Sequence, residues 1–360
     1  MFEINKIHLI ISITLLFIIG IYFGVTIKNN SIHTDYTNTT STNTSSSTNS
    51  TDTTNNTDED NYYENSTTTN TGSGTNSGST TGTTGTNSNT STEATVVYSG
   101  QYTSQNVNYA TKDGVSLDFN LIKPKNPVGA LPVMIWIHGG GFGPGGTNTA
   151  KGFEDDFTKY GYAIAAIEYR SIEVALFPAQ VEDIKGAIRY MRANSSSLGI
   201  DPNNIFVLGT SSGGLVASLT GVTSGDSAFE GNTGGNTSYS SRPTAVINLF
   251  GSVVKNQIND LSSSILPFTY EVFGCAPYGS CPDRNDLAID NYLNAGDPPF
   301  LIIHGTVDQT VPYTESTELV PLMQAAGIST TFITATGYGH DKEGIIGKYL
   351  TDIISFMNQY

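Results

Sequence analysis

The chain has 360 residues with 32 acidic and 16 basic side chains, a formal net charge of −16, and 38 glycines against only 13% charged residues. That acid excess excludes a general nucleic-acid binder, which needs clustered Lys and Arg to displace counterions from phosphates, and it disfavours adsorption on anionic lipid. Two cysteines, Cys275 and Cys281, are too few for a disulfide-built scaffold or a four-thiolate zinc site, so a packed core must hold the globular part together and no metal ligands are assigned.

Three compositional zones follow one another. Within residues 1–28, the run from Ile7 to Ile27 is largely apolar and carries no formal charge. Its length, about 20 residues, spans a ~30 Å hydrocarbon layer as a helix. No small-x-small cleavage pattern follows it, so it reads as an uncleaved membrane anchor, with a removed signal segment as the alternative. Residues 29–95 are nearly all Ser, Thr, Asn and Gly, without Lys or Arg. They cannot bury enough apolar surface to offset ordering entropy, and a disordered stalk is expected there. Residues 96–360 have the composition of one large α/β domain.

In that zone short β-branched runs begin at Pro132, Tyr162, Ile205, Thr244, Phe300 and Thr330. They fit strands buried on both faces. Between them, Val181, Ile184, Ile188 and Met191 recur at helical spacing behind Pro178, which suits a first helical turn. Further helices are expected from Ser211, over 313–326 and over 342–358. Strand–helix alternation means an α/β fold with a mostly parallel central sheet and helices on both faces.

The chemistry falls at strand ends. His138-Gly139-Gly140-Gly141-Phe142 follows the first parallel strand. Successive glycines let backbone amides approach a substrate, and such donors stabilise a developing oxyanion by about 3–4 kcal/mol each. The expected donors are the amides of Gly140, Gly141 and Ser212, with His138 as a loop-fixing hydrogen-bonder. Gly209-Thr210-Ser211-Ser212-Gly213 stands between a strand and a helix, the context of a nucleophile elbow. Gly209 and Gly213 give Ser211 steric room, and the helix dipole favours an anion beside it. Ser212 is the rival nucleophile.

The base follows by elimination among five histidines. His8 and His33 lie in the anchor and the stalk, leaving His138, His304 and His340. His340 sits in a Gly-rich loop before the last helix, and the strand ending at His304 delivers Asp308 in its following turn. The order Ser211, Asp308, His340 is that of an α/β-hydrolase triad. Asp341 is the alternative acid, and Asp308 is otherwise a turn residue.

At these residues the domain resembles the serine carboxylesterases of the α/β-hydrolase fold, in the branch of lipases, hormone-sensitive-lipase-like esterases and bacterial acetylxylan/feruloyl esterases. The resemblance runs from about Asn106 to Phe356 and includes the extended segment NVNYATKDGVSLDFNLIKP, the PAQVEDIKGAIRYMRAN helix with GIDPNNI, and DPPFLIIHGTVDQTVP. It implies a cofactor-free ester hydrolase working through an acyl-enzyme. Thr210 and Ser212 depart from the acidic residue and Ala that the branch often carries at those places.

A cap-like insertion is expected over 251–299, where Phe268, Tyr270, Phe273 and Tyr278 either shape the pocket or pack in the core. Cys275 and Cys281 either pair in an oxidising compartment or stay as free thiols. Arg170 and Glu168 are read as bracing active-site loops through partners such as Glu182 or Asp183.

The expected substrate is a small-molecule ester or an acylated polysaccharide bearing acetyl or feruloyl groups, with no nucleic-acid partner. The domain is expected to be tethered outside the cytoplasm, or secreted if the first segment is cleaved. Two other readings are kept: a catalytically silent surface binding module, and a serine peptidase of the prolyl-oligopeptidase type.

Overall fold

The short apolar runs become the inner strands of a sheet because both of their faces are covered. Eight strands form it: β1 (Tyr102–Lys112), β2 (Val115–Pro124), β3 (Leu131–Ile137), β4 (Ala163–Ile167), β5 (Ile200–Thr210), β6 (Val246–Leu249), β7 (Phe300–Gly305) and β8 (Thr330–Ala335). Their order is β1-β2-β4-β3-β5-β6-β7-β8. From β4 to β8 every pairing is parallel, while β1 pairs β2 and β2 pairs β4 antiparallel. This computed structural model describes residues 95–360 apart from 99, 259, 261, 262, 277, 278 and 282. The expected anchor, the expected stalk and Tyr278 lie outside the described residues. Among the described residues, no helix is long and apolar enough to cross a membrane.

Side chains alternate across a strand with period two, and the two cores divide accordingly. Val133, Ile135 and Ile137 of β3 join one core, with Val207 of β5 and Ile302 of β7. Met134 and Trp136 join the other, with Phe206, Leu208, Leu301 and Ile303. The first core is closed by α1 (Ala179–Ala193), α2 (Ser212–Val222) and α4 (Tyr313–Ala325), through Ile184, Ile188, Leu215, Leu219, Leu319 and Met323. The second is closed by α5 (Lys342–Met357), through Ile345, Ile346, Ile353 and Ile354. A short helix, α3 (Leu266–Glu271), lies in the insertion between β6 and β7.

The segment read as extended, NVNYATKDGVSLDFNLIKP, folds as the β1–β2 hairpin, whose outer strand is half exposed and carries no continuous apolar run. Its turn is Asp113-Gly114, both at positive φ, the Asp-Gly chemistry that two-residue hairpins demand. The hairpin extends the parallel sheet beyond β4 and leaves the strand C-termini of β3, β5, β7 and β8 free to carry the site.

Candidate active site

Ser211 stands between β5 and α2 with φ 55° and ψ −128°, outside the regions an L-residue ordinarily occupies. The flanking glycines make that turn possible. A Cβ at Gly209 would lie 2.0 Å from the Gly213 carbonyl oxygen, and one at Gly213 would lie 2.3 Å from that of Ile137. The strained elbow is anchored by the Ser211 amide, which donates to the Leu249 carbonyl at 3.0 Å. On its other side the Ser211 carbonyl accepts from Gly214 and Leu215 of α2 at 2.8 and 3.2 Å.

The Ser211 hydroxyl lies 2.8 Å from Nε2 of His340, and Nδ1 of His340 lies 2.7 Å from Oδ2 of Asp308. The carboxylate partner fixes the tautomer: Nδ1 carries the proton donated to Asp308, so Nε2 is free to accept from Ser211. Oδ1 of Asp308 accepts from the amides of Thr310 and Val311 at 2.8 and 3.0 Å. Burial alone would raise the Asp308 pKa. Hydrogen bonding to the His304 and His340 rings, with the Thr310 amide, outweighs it and holds the carboxyl well below the usual range. Asp341 is elsewhere engaged, since its carboxylate caps α5 through the Gly344 amide at 2.9 Å. Phe250 meets the His340 ring edge-on at 4.5 Å between centroids.

The Gly-rich loop wraps the elbow. Gly140, Gly141 and Phe142 all have positive φ, at 105°, 63° and 60°. Gly141 lines the cleft beside Ser211 and Ser212, while the carbonyl of Gly140 accepts from Gly143 at 3.0 Å. As the first residue of α2, Ser212 has an amide with no intrahelical acceptor, the kind of group that binds anions at helix N-termini. The Ser212 side chain is occupied otherwise, taking the Phe142 amide at 3.3 Å and so tying α2 to the loop. His138 is buried and its Nδ1 lies 2.8 Å from the Gly139 carbonyl. Tyr169 stacks on its ring at 4.3 Å and donates its hydroxyl to the His138 carbonyl at 2.8 Å. Burial lowers the His138 pKa, in keeping with a neutral wedge beneath the loop.

Beside Ser211 opens a cleft of about 190 Å³, walled by Leu215, Val253, Ile265, Phe268 and Val311, together with Ser252, Ser264 and Thr310. Among the described residues, no charged side chain lines it. Phe268 of α3 meets Phe142 edge-on at 5.3 Å, so the insertion and the Gly-rich loop close the cleft together. Two further insertion aromatics turn inward: Tyr270 is buried under the Arg284 guanidinium, and Phe273 packs on Phe177. Cys275 and Cys281 are joined by a disulfide with their Cα atoms 5.7 Å apart, closing the loop that follows α3. Behind the cleft, Glu315 accepts the Val254 amide at 2.8 Å, and burial pushes its carboxyl up to about 8.

Arg170 is buried and forks onto Asp183 through Nε and Nη2, reaches Asp113 in the hairpin turn, and lies 3.5 Å from Glu182. It joins the β1–β2 turn to α1, away from the reacting groups. Three contributors escape a reading of the sequence: Tyr169, Ser316 and Glu315. Each lies in an ordinary strand end or helix, and only a polar residue within an apolar helical face (Ser316 and Glu315 in α4) marks them.

Together, the eight-stranded sheet and the Ser211–His340–Asp308 alignment at its strand ends define the class: an α/β-hydrolase. The BD-FAE family profile matches residues 118–323, and the chain belongs to that family. A solved truncated form of a carbohydrate esterase from gut microbiota is 31% identical with a TM-score of 0.63, covering 73% of this chain and 96% of that one. Butyrate-bound esterase 2 of Thermogutta terrifontis shares the fold, with a TM-score of 0.59 at 23% identity over 71% of this chain and 94% of its own. Esterase LipC of Mycobacterium tuberculosis is 26% identical over 221 residues, 59% of this chain and 54% of LipC. The chain thus spans about half the length of the curated relatives LipC and LipQ.

Proposed function

We propose that this protein hydrolyses carboxylic esters of small acyl groups through a Ser211 acyl-enzyme, with acylated plant polysaccharide as the natural substrate class. The observation that carries it is the continuous line from Ser211 to His340 to Asp308, at 2.8 and 2.7 Å. In this reading His340 Nε2 removes the Ser211 proton as Oγ attacks the acyl carbon, and the carbonyl oxygen becomes an oxyanion facing the amides of Gly141 and Ser212. Collapse breaks the ester C–O bond and His340 returns the proton to the departing alcohol. A water then repeats the sequence, its proton passing to His340 and back to Ser211 as the carboxylic acid leaves.

The lining of the cleft supports an apolar acyl group, which Leu215, Val253, Ile265, Phe268 and Val311 would cover beside Ser211. The likeness to a carbohydrate esterase at 31% identity supports a sugar-linked alcohol. A panel of p-nitrophenyl esters from acetate to palmitate, with acetylated xylan and methyl ferulate, tests both parts. We expect acetate to butyrate to be hydrolysed, with kcat/KM lower by at least ~10-fold for palmitate, and release of acid from one of the two plant esters. Folded protein that cleaves none of these esters, or that prefers palmitate, would overturn the reading.

We also place the domain outside the cytoplasm, on a tether through the first 28 residues. Support comes from the uncharged run Ile7–Ile27, the absence of basic residues over 29–95, and a disulfide that suits an oxidising compartment. Protease added to intact cells is expected to release active domain into the medium. A domain that stays protected until lysis would exclude this topology.

A further inference from the structure

His304 plays no part in the steps above, yet it is fully buried at the end of β7, within four residues of Asp308. Its two ring nitrogens have different partners: Nε2 lies 3.0 Å from the Val311 carbonyl, and Nδ1 lies 2.7 Å from the Ser316 hydroxyl of α4. A carbonyl only accepts, so Nε2 carries the proton. In a neutral ring Nδ1 must then accept, which makes Ser316 the donor. The Ser316 oxygen, 2.8 Å from Ser252, is left to accept the Ser252 proton. Every hydrogen in the chain Ser252–Ser316–His304–Val311 is thereby assigned. One end is a wall residue of the cleft, and the other is the carbonyl of the turn that carries the Asp308 carboxylate.

The same ring reaches Asp308 itself, with Nε2 lying 3.5 Å from Oδ2, the oxygen that His340 contacts. The ring also faces Tyr313, edge-on at 5.7 Å. Glu315 on the same helix is turned to the Val254 amide.

We infer that His304 is a positioning residue: its Nε2–H holds the 308–311 turn, and with it the Asp308 carboxylate, at the reach His340 requires, while Ser316 and Ser252 fix the ring from the cleft wall. The inference rests on the proposal that Ser211, His340 and Asp308 perform the chemistry. It adds that the wall of the substrate cleft and the catalytic acid share one hydrogen-bonded support. Thr310 and Val311 line the cleft from the same turn, so a shift of that turn displaces the acid and the wall together.

The test uses His304→Leu, which removes both ring contacts, His304→Gln, whose amide N–H reaches about as far as Nε2, and Ser316→Ala. Competent sites are counted by the p-nitrophenol burst from diethyl p-nitrophenyl phosphate, so that kcat is expressed per competent site. We expect His304→Leu to lower kcat about 30-fold with KM within about twofold, and to move the acidic limb of the kcat/KM profile to lower pH, because a displaced carboxylate stabilises the His340 imidazolium less. His304→Gln should recover to within about fivefold of the unaltered protein, and Ser316→Ala should lose about fivefold. A ring that only fills space would reduce the number of competent sites while leaving kcat per site and the acidic limb unchanged, and that result would overturn the inference. Should His304→Leu fail to fold, Ser316→Ala decides, since it removes one oxygen: unchanged kcat per site rejects the role. Failure of the phosphate ester to label Ser211 in the unaltered protein would instead strike the underlying proposal, a result distinguishable from either of these.

Discussion

Ser211→Ala should lower kcat/KM for p-nitrophenyl acetate by at least ~10⁴-fold while leaving the protein folded. The Ser211 hydroxyl contacts His340 and faces an open cleft, so its removal strips no buried group of a partner. The positive φ at this position is borne by Ser and Ala alike, and the melting temperature should stay within about 2 °C. Ser212→Ala provides the contrast. Its hydroxyl takes the Phe142 amide, so truncation should loosen the Gly-rich loop and cost about tenfold, far less than loss of the nucleophile. Steady-state kinetics on both variants, with mass spectrometry of the organophosphate adduct, checks the assignment. An adduct on Ser212, or a Ser211→Ala variant that keeps most of its activity, would put the elbow one residue out of register.

How far the sequence could be read depended on how locally each feature is encoded. β3, β4, β6 and β7 were visible because strands covered on both faces need unbroken apolar runs, and a run such as FLIIHG needs no knowledge of its neighbours. The elbow was visible for a steric reason, since Gly209 and Gly213 approach backbone so closely that no other residue fits. The order Ser, Asp, His completed the alignment, because each residue follows its own parallel strand and all such strands end on the same edge of the sheet.

Long-range packing was not visible in the same way. Whether Phe268 or Phe273 would face the cleft depends on Phe142, 126 positions from Phe268, and on Phe177, neither of which leaves a mark on the insertion itself. Of the β1–β2 segment only the extension was visible and not the pairing, because its outer strand is half solvated and its residues are mostly polar. Buried polar partners were the hardest to anticipate. The helix expected over 313–326 gave no roles to Ser316 and Glu315, whose partners come from β7 and the segment after β6.

The largest effect after loss of the nucleophile is expected from Asp308→Asn, and the structure dictates how the damage arises. Two backbone amides, from Thr310 and Val311, point at Oδ1 of this side chain at 2.8 and 3.0 Å, so an acceptor oxygen must stay there. An asparagine amide satisfying them has to turn its NH₂ group towards His340. The His340 Nδ1, 2.7 Å from Oδ2 in the native site, would then be forced to accept, moving the ring proton to Nε2. A protonated Nε2 cannot take the proton of Ser211, and the imidazolium formed in the transition state loses its counter-charge as well. Together these should lower kcat by about 10³–10⁴-fold at neutral pH with little change in KM. Stability supplies a second readout. The Asp308 pKa is depressed in the folded protein, so its charged form contributes stability that is fully present above the unfolded carboxyl value, ~3.9, and is lost as pH falls towards the lower folded value. The unaltered protein should therefore lose melting temperature more steeply than Asp308→Asn as the pH is taken below about 4, because the variant has no such proton to bind. Asp308→Asn retaining kcat within tenfold, with an unaltered acid-side melting profile, would mean that another carboxylate orients His340. Asp341, capping α5 through Gly344, would be the residue to examine next.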